Sequence, residues 1–569
     1  MALHYDTDYA NLAAALTAAA GRILVISGTH TITTAHTVPA GTHLLGDGGS
    51  ITMSQPDLNA LEIGGDNVII ESVEIIGPSS PDTPSDVTVS NGIYAEGRDN
   101  LTVTNCLIRR FDSSGIFIRG CRNTTFRGNR LHSNRYMLPD SSDICLYSSD
   151  PEGGRIVIEG NFCLSNNSQG IYVDPLGHDD DVTVVGNVCV ATDGGGDELA
   201  EESVARRHGI IIGYGSPVEG NGRVAVIGNL CRNTTVTGIY VASGPELRRG
   251  VLVIGNVCSL NGLDETSLAG GIFITGGGVD TLVANNAVYD FRGAAADDVG
   301  CLVVNHNIEG VAATATLSGN VCDTSTADGI VLKSLSAGLR VLDNMTSGIA
   351  RYDLFEVPNE GSGLGGHRIE RNRFTRANAD FPSVKIYANT STRMTWLLDN
   401  VITGVDGEEA DVDNTGILIE GGVGAKPVVV SGNEIRNFYQ GILNGGYISG
   451  RYESLLRFDN NLFADCNDAI VLSGTSTAPC MVVEGNRFIS VVNPLSGAGG
   501  LGGYSVGYLG RRDNARLVLL GLNAAPSVGT WTVGDRAEFT TPSAGGTIGA
   551  VCTGAGNPGT WKTYGAIAA

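Results

Sequence analysis

The chain is short of everything that nucleic-acid binding or a helical fold would need. Lys and Arg number 36 against 60 Asp and Glu, a net charge of −24. No basic stripe runs through it, which argues against nucleic acid as a partner, because phosphate recognition draws on clustered Lys and Arg. Aromatics are 6% of 569 residues. No CxxC pair occurs, so a zinc ribbon is unsupported. No apolar run is long enough to cross a bilayer, and no apolar leader stands at the N-terminus. After residue 20 no helix-length amphipathic window appears, so a βαβ fold lacks its crossover helices.

What remains is glycine and small apolar residues in a repeating phrase. Gly numbers 80 and apolar residues reach 42%. Gln169–Val190, QGIYVDPLGHDDDVTVVGNVCV, holds the whole unit: a GIxV run, a polar turn, a second alternating run and a Gly-Asn turn. Related phrases recur roughly every 25–30 residues, the range of solenoid repeats. Strands this short cannot bury a face alone, so the copies must stack. Three short strands per copy, with one Asn and one Cys at fixed places, predict an all-β right-handed parallel β-helix. In it the Gly-Asn turns use the tolerance of Asn for left-handed geometry and stack Asn on Asn.

Six of the 12 Cys sit in similar phrases, at Cys106, Cys163, Cys189, Cys231, Cys258 and Cys322. They predict a ladder of buried thiols rather than a disulfide framework. Free thiols fit folding in a reducing cytoplasm. DYANLAAALTAAA, residues 8–20, reads as a capping helix ended by Gly21. The expected domains are a cap and first coils over 1–60, the β-helix over 61–492, a Gly-rich linker over 493–514 and a small β domain over 515–569.

On these repeats and this cap, the chain resembles the pectin-lyase-like superfamily of right-handed β-helices. Its C-terminal GTWTVGDR and GAVCTGAGNPGTWKTYGAIAA resemble terminal modules of phage or prophage tail spikes and bacterial depolymerases. That resemblance implies a homotrimer that cuts or binds surface polysaccharides, extracellular or virion-associated. It requires no cofactor.

Aligned on GIxV, the residue after the run is Glu96, Arg119, Tyr147 and Asp174 in successive copies, a polar ladder. A second ladder, before the run, holds Ser114, Asp143, Gln169, His208 and Thr237. Insertions at Asn134–Ser142 and Asp193–Arg207 flank the same coils, and insertions collect on a solenoid's binding face. The expected function is endo-acting hydrolysis of a bacterial polysaccharide, with Asp143 and Asp174 as the carboxylate pair. His178 and His208 would assist, and Arg119, Tyr147, Tyr172, Arg207 and Glu96 would bind substrate. The alternative is a uronate lyase or C5-epimerase centred on Tyr172, His178 and Arg119. Tyr172-Val-Asp174-Pro-Leu-Gly-His178 resembles the Tyr…Asp-Pro-His phrase of alginate-type epimerases and lyases, with two extra residues before the His. A glycan-binding spike without catalysis is the third reading. Asp179, Asp180 and Asp181 are turn formers or a calcium site.

Overall fold

A computed structural model describes the chain except residues 1–2, 79–89, 133, 135–141, 149–153, 166–168, 176–180, 192–207, 214–221, 243–249, 263–269, 277–279, 294–298, 307–313, 335–337, 358–365, 379, 388–393, 406–413, 421–427, 445–455, 473–480, 497–509, 514–515, 523, 526–532, 540–541, 557–558 and 569. The chain forms two compact units, Met1–Ile308 and Glu309–Ala569. The division falls inside the stretch expected to be one solenoid, because the repeat phrase continues through it.

Each unit is built from coils of three short strands. In unit 1 the strands Arg155–Glu159, Phe162–Ser165 and Gln169–Pro175 make one coil. The next is Asp181–Val185, Val188–Ala191 and Ile210–Ile212. Each strand pairs in parallel with its equivalent one coil on, giving a first, second and third sheet. Alternate side chains point inward, as the pleat requires: Val182, Val184, Cys189, Ile210 and Ile212 are buried core.

The corner between the first and second sheets is the most regular feature. Except between His43–Gly46 and Ser50–Met53, it is two residues long in the described coils, as at Gly186-Asn187, Gly228-Asn229 and Gly255-Asn256. The first takes the left-handed conformation (φ 64° at Gly186, 62° at Gly228) and the second is a buried Asn. At these corners Gly carries the turn, while Asn takes the left-handed place at Asn105, Asn285 and Asn460. Asn229 Nδ2 donates to Asn256 Oδ1 at 2.9 Å and to the Val184 carbonyl at 3.0 Å. Its own Oδ1 accepts from the Asn187 amide and Nδ2. The chain of amides runs Asn129, Asn161, Asn187, Asn229, Asn256, Asn286 in unit 1. Another runs from Asn320 through Asn344, Asn372, Asn400, Asn433 and Asn461 to Asn486 in unit 2.

The thiol ladder exists but is shorter than expected. Cys163, Cys189, Cys231 and Cys258 stand in register. Cys106 instead takes an Asn position, its amide donating to Asn129 Oδ1, while Asn105 supplies the left-handed turn. Cys322 lies in unit 2, in register with Thr346. The eleven described cysteines are free and buried. The ladder explains the Gly of GIxV: a Cβ on Gly209 would stand 2.7 Å from Cys231 Sγ and 2.6 Å from the Gly238 carbonyl.

The N-terminal helix, Leu12–Ala18, is capped by Asn11 and buries Leu12, Ala15 and Leu16 against the strand His36–Val38. In unit 2 the strand Asn493–Ser496 still pairs with Asp468–Leu472, so the coils run past the expected end at 492. The C-terminal strands Arg536–Phe539, Thr547–Gly554 and Thr560–Ala566 are antiparallel. Trp561 there is partly exposed, and Trp531 lies outside the described residues.

Replacing Asn229 with Ala strands the Val184 carbonyl and the Asn187 amide, while Asn256 Oδ1 keeps the Asn229 backbone amide. The expected loss is on the order of 2–4 kcal/mol, read from urea unfolding. Gly209→Ala is expected to lower the same midpoint through the contact with Cys231, whereas Gly228→Ala costs little packing but forces φ into the left-handed region.

Candidate functional site

The outer face of the third sheet in unit 1 carries the densest set of aromatic and ionisable side chains expected from the sequence. The register places Glu96 beside Arg119, Arg119 beside Tyr147 and Tyr147 beside Asp174. This row covers three coil steps, about 14 Å at about 4.8 Å each. Glu96 and Arg119 are exposed, Tyr147 is partly exposed and Asp174 is 5% exposed.

A second outward row lies two residues earlier: Tyr94, Phe117, Cys145, Tyr172, Ile211, Tyr240 and Phe273. The two rows meet through their rings. Tyr94 and Phe117 stack with centroids 5.7 Å apart and planes within 8°. Phe117 meets Tyr147 at 5.7 Å, and Tyr147 meets Tyr172 at 5.4 Å. Further along, Tyr240 stacks on Phe273 at 5.5 Å. This aromatic row was legible in GIYA, GIFI and GIYV, where the second apolar position is repeatedly Tyr or Phe. Reading only the residue after the run missed it.

Tyr94 donates from its hydroxyl to Glu96 Oε2 at 2.6 Å. Burial and that carboxylate push its phenol up to about 12. Tyr94 is therefore a stacking surface rather than a base.

Asp143 does not join this face. It aligns with Gly170, four residues ahead of Asp174 in register, about 13 Å along the strand. Its carboxyl turns into the corner between the second and third sheets. There Asn134 Nδ2 donates to Oδ1 at 2.8 Å, while Oδ2 is buried without a hydrogen bond. Burial raises the carboxyl to about 7, against the opposing effect of Asn134. The reason is geometric. The Gly of GIxV sits where the strand bends, so its Cα–H points inward: a Cβ on Gly92 would meet Ile108 and Phe111. Asp143 fills that inward space. Paired carboxylates of glycoside hydrolysis need roughly 5–9.5 Å on one face. The Asp143–Asp174 pair fails on both counts.

His208 occupies the position of Gln169 one coil on, with Gly170 N–H bonded to its carbonyl at 3.2 Å. It is 5% exposed, and its ring meets Tyr240 edge-on at 6.0 Å. Along the strand it stands about 16 Å from Asp174. The described members of the expected catalytic set thus do not converge. His178, Asp179, Asp180 and Arg207 lie outside the described residues. Asp181 is exposed and accepts the Arg223 amide at 3.2 Å. Among the described residues no group of three His, Cys, Asp or Glu is placed to hold a metal ion.

Unit 2 has its own aromatic and cationic cluster. The Lys385 ammonium lies 5.0 Å from the Tyr387 ring and 5.7 Å from Phe355, and 3.3 Å from Glu420. Arg351 lies over Tyr352 and Phe381. Asp353 repeats the Asp143 theme, buried at a Gly position, with Thr346 and Ser383 hydroxyls donating at 2.6 Å. Burial raises it to about 6.

Residues 58–206 match the family described as the right handed beta helix region. No curated protein matches the chain. Solved structures similar to it include the Dettilon tailspike protein, at 12% identity and TM-score 0.28, covering 86% of this chain and 69% of that one. PfbA, a surface adhesin of Streptococcus pneumoniae, is 11% identical with TM-score 0.30, over 92% and 99% of the two chains. The tailspike protein of E. coli bacteriophage HK620, in complex with pentasaccharide, is 11% identical with TM-score 0.35, over 84% and 74%.

The Asp143 geometry has a pH signature. An unfolded Asp titrates near 3.9, and the folded one at about 7. Between those values the folded chain keeps a proton that the unfolded chain has lost. Stability therefore falls as pH rises from about 4 to about 7, by an amount on the order of 4 kcal/mol. Asp143→Asn should flatten that slope and raise the denaturant midpoint at pH 8, leaving it little changed near pH 4. An unchanged slope would place the carboxyl in water.

Proposed function

We propose that this β-helix binds an extended polysaccharide across the outer face of the third sheet in unit 1 and acts on it there. The observation that carries this is the partly exposed run of ring contacts Tyr94–Phe117–Tyr147, backed by the buried Tyr172, beside Glu96, Arg119 and Asp174. Aromatic faces stack on the apolar faces of sugar rings, and the polar row takes their hydroxyls and acid groups. The one-coil spacing, about 4.8 Å, is close to the length of one sugar unit.

The polar row suits proton abstraction from a uronate better than hydrolysis by a carboxylate pair. Arg119 and Tyr147 are neighbours in register. Arg119 would neutralise the uronate carboxylate and acidify the C5 proton. Tyr147, as phenolate, would take that proton. The electron pair then forms the C4–C5 double bond as the C4–O bond breaks, its oxygen taking the proton that Tyr147 removed. Re-protonation of C5 from the opposite face instead would give epimerisation. Asp174, buried next to Tyr147, would orient the sugar.

Hydrolysis is the second reading, favoured by Asp174 being a carboxylate already buried on this face. Its partner carboxylate would have to come from Asp150, Glu152, Asp179 or Asp180, outside the described residues. In either reading the chain works outside the cell or on a virion, where polysaccharide is met.

A panel of acidic and neutral polysaccharides separates these readings. New reducing ends with ultraviolet absorbance from the unsaturated uronate are expected. Reducing ends without absorbance would transfer the chain to the hydrolases, and binding with neither would make it an adhesin. Tyr147→Phe is expected to lower the rate by about 10²-fold or more, and Arg119→Leu to raise KM for acidic glycans. Asp143→Asn should keep full activity.

A further inference from the structure

The chain has three Trp, and one of them, Trp396, belongs to the coils; Trp531 and Trp561 follow the last coil strand, Asn493–Ser496. Trp396 lies on the strand Thr395–Leu398 of the first sheet in unit 2. The pleat turns Thr395 and Leu397 into the core and Trp396 outward, 39% exposed. In the same outward row the two preceding coils carry Arg368 and Arg340, and the following coil carries Val429. Both arginines are exposed. The equivalent row of unit 1 reads Thr102, Thr125, Val157, Thr183, Ala225 and Leu252. Coils therefore stack with small or aliphatic residues here, and folding does not call for an indole beside two guanidiniums.

The two guanidiniums are placed to receive acid groups. Like charges about 4.8 Å apart, one coil on, repel each other. Arg368 spends Nε on Glu370 Oε2 at 2.5 Å, and Arg371 donates to the other oxygen of that carboxylate. Arg371 is also held by both oxygens of Asp343, at 2.8 and 2.9 Å. Among the described residues no hydrogen bond engages the two terminal nitrogens of Arg368, and Arg340 has no ion pair. A guanidinium with its outer edge open is a planar fork that matches a carboxylate. In a chain of net charge −24, this row is a local attraction for an anion.

We propose that the Trp396–Arg368–Arg340 row is a second glycan site, one that holds an acidic oligosaccharide without reacting with it. One sugar ring lies with its apolar face on the indole. The uronate carboxylates of the next two units reach Arg368 and Arg340, because the row pitch of about 4.8 Å is close to one sugar unit. The corners after Glu370 and Leu398 are two residues long, so no insertion rises on that side of the row. Neither outward row of these coils holds a Tyr or His to move a proton, and Glu370 is clamped by two arginines. Single-stranded nucleic acid also stacks on rings, but it is bound by ring after ring along its length. Here one ring stands between Arg368 and Val429. The site lies in the other unit from the third-sheet face of Tyr147 and does not rest on the catalytic reading.

Tryptophan emission reads this row and not that face, since the third sheet of unit 1 carries Tyr and Phe but no Trp. The full chain is titrated with tetragalacturonate, with maltotetraose and with a single-stranded oligonucleotide. Tetragalacturonate is expected to give a saturable change in emission that weakens with added salt, the same in wild type and Tyr147→Phe. Trp396→Ala is expected to abolish the change. Arg340→Leu keeps the reporter and should weaken binding about 10-fold. Both substitutions are at exposed outward positions, and an unchanged far-ultraviolet dichroism spectrum checks that they fold. The proposal is overturned if wild-type emission does not respond to tetragalacturonate, or if Trp396→Ala keeps the response. It is equally overturned if Arg340→Leu binds as tightly as wild type, or if maltotetraose or the oligonucleotide binds as tightly as tetragalacturonate. None of these results bears on whether Tyr147 and Arg119 act on a polysaccharide, which the activity assay decides.

Discussion

The rest of the structure depends on hydrogen-bonded runs of buried amides, one in each unit. A corner between two strands leaves backbone groups without a partner, and burial makes that expensive. Each ladder Asn answers for two of them and joins the next side chain as well. Asn229, for example, serves a carbonyl one coil behind, the amide of its counterpart there, and the side chain one coil ahead. The amides all donate in one direction along the axis, so neighbouring bonds polarise each other. This fixes coil on coil without a residue of register to spare. The strands then bring their own regularities: inward Val, Ile and Leu, inward Cys beside Gly, and outward rows that stay in line for several coils.

Those outward rows make a surface with function. A row is a property of the stack, not of one segment, so chemistry on it is distributed. The third sheet of unit 1 carries aromatic rings and ionisable groups in adjacent rows.

The coil and its period were legible because the Gly-Asn turn and the GIxV run recur where the geometry recurs. The Glu96–Asp174 row was legible for the same reason, since parallel pairing turns a sequence alignment into a register. Asp143 was misread because a departure from Gly looks alike whether the side chain turns outward or inward. The bend at the corner makes two consecutive residues face the interior, Gly170 and Ile171 in the next coil, and alternation cannot reveal that. Cys106 was misread because TNC and GNVC differ by one residue in where the Asn stands. Its Asn takes the turn and leaves the ladder place to the thiol. The division at Ile308 left no mark, since the repeat phrase is unchanged across it.

The invariant length of the Gly-Asn corner has a consequence for how such a chain can change. Loops elsewhere differ in length from coil to coil, and the amide spine does not register the difference. Adding or removing one residue at Gly228-Asn229 would throw an amide out of line, but excising a whole coil would rejoin Asn187 to Asn256 as like to like. The natural step of variation is therefore a complete turn. Lengthening by whole turns extends each outward row by one coil pitch while the spine stays continuous.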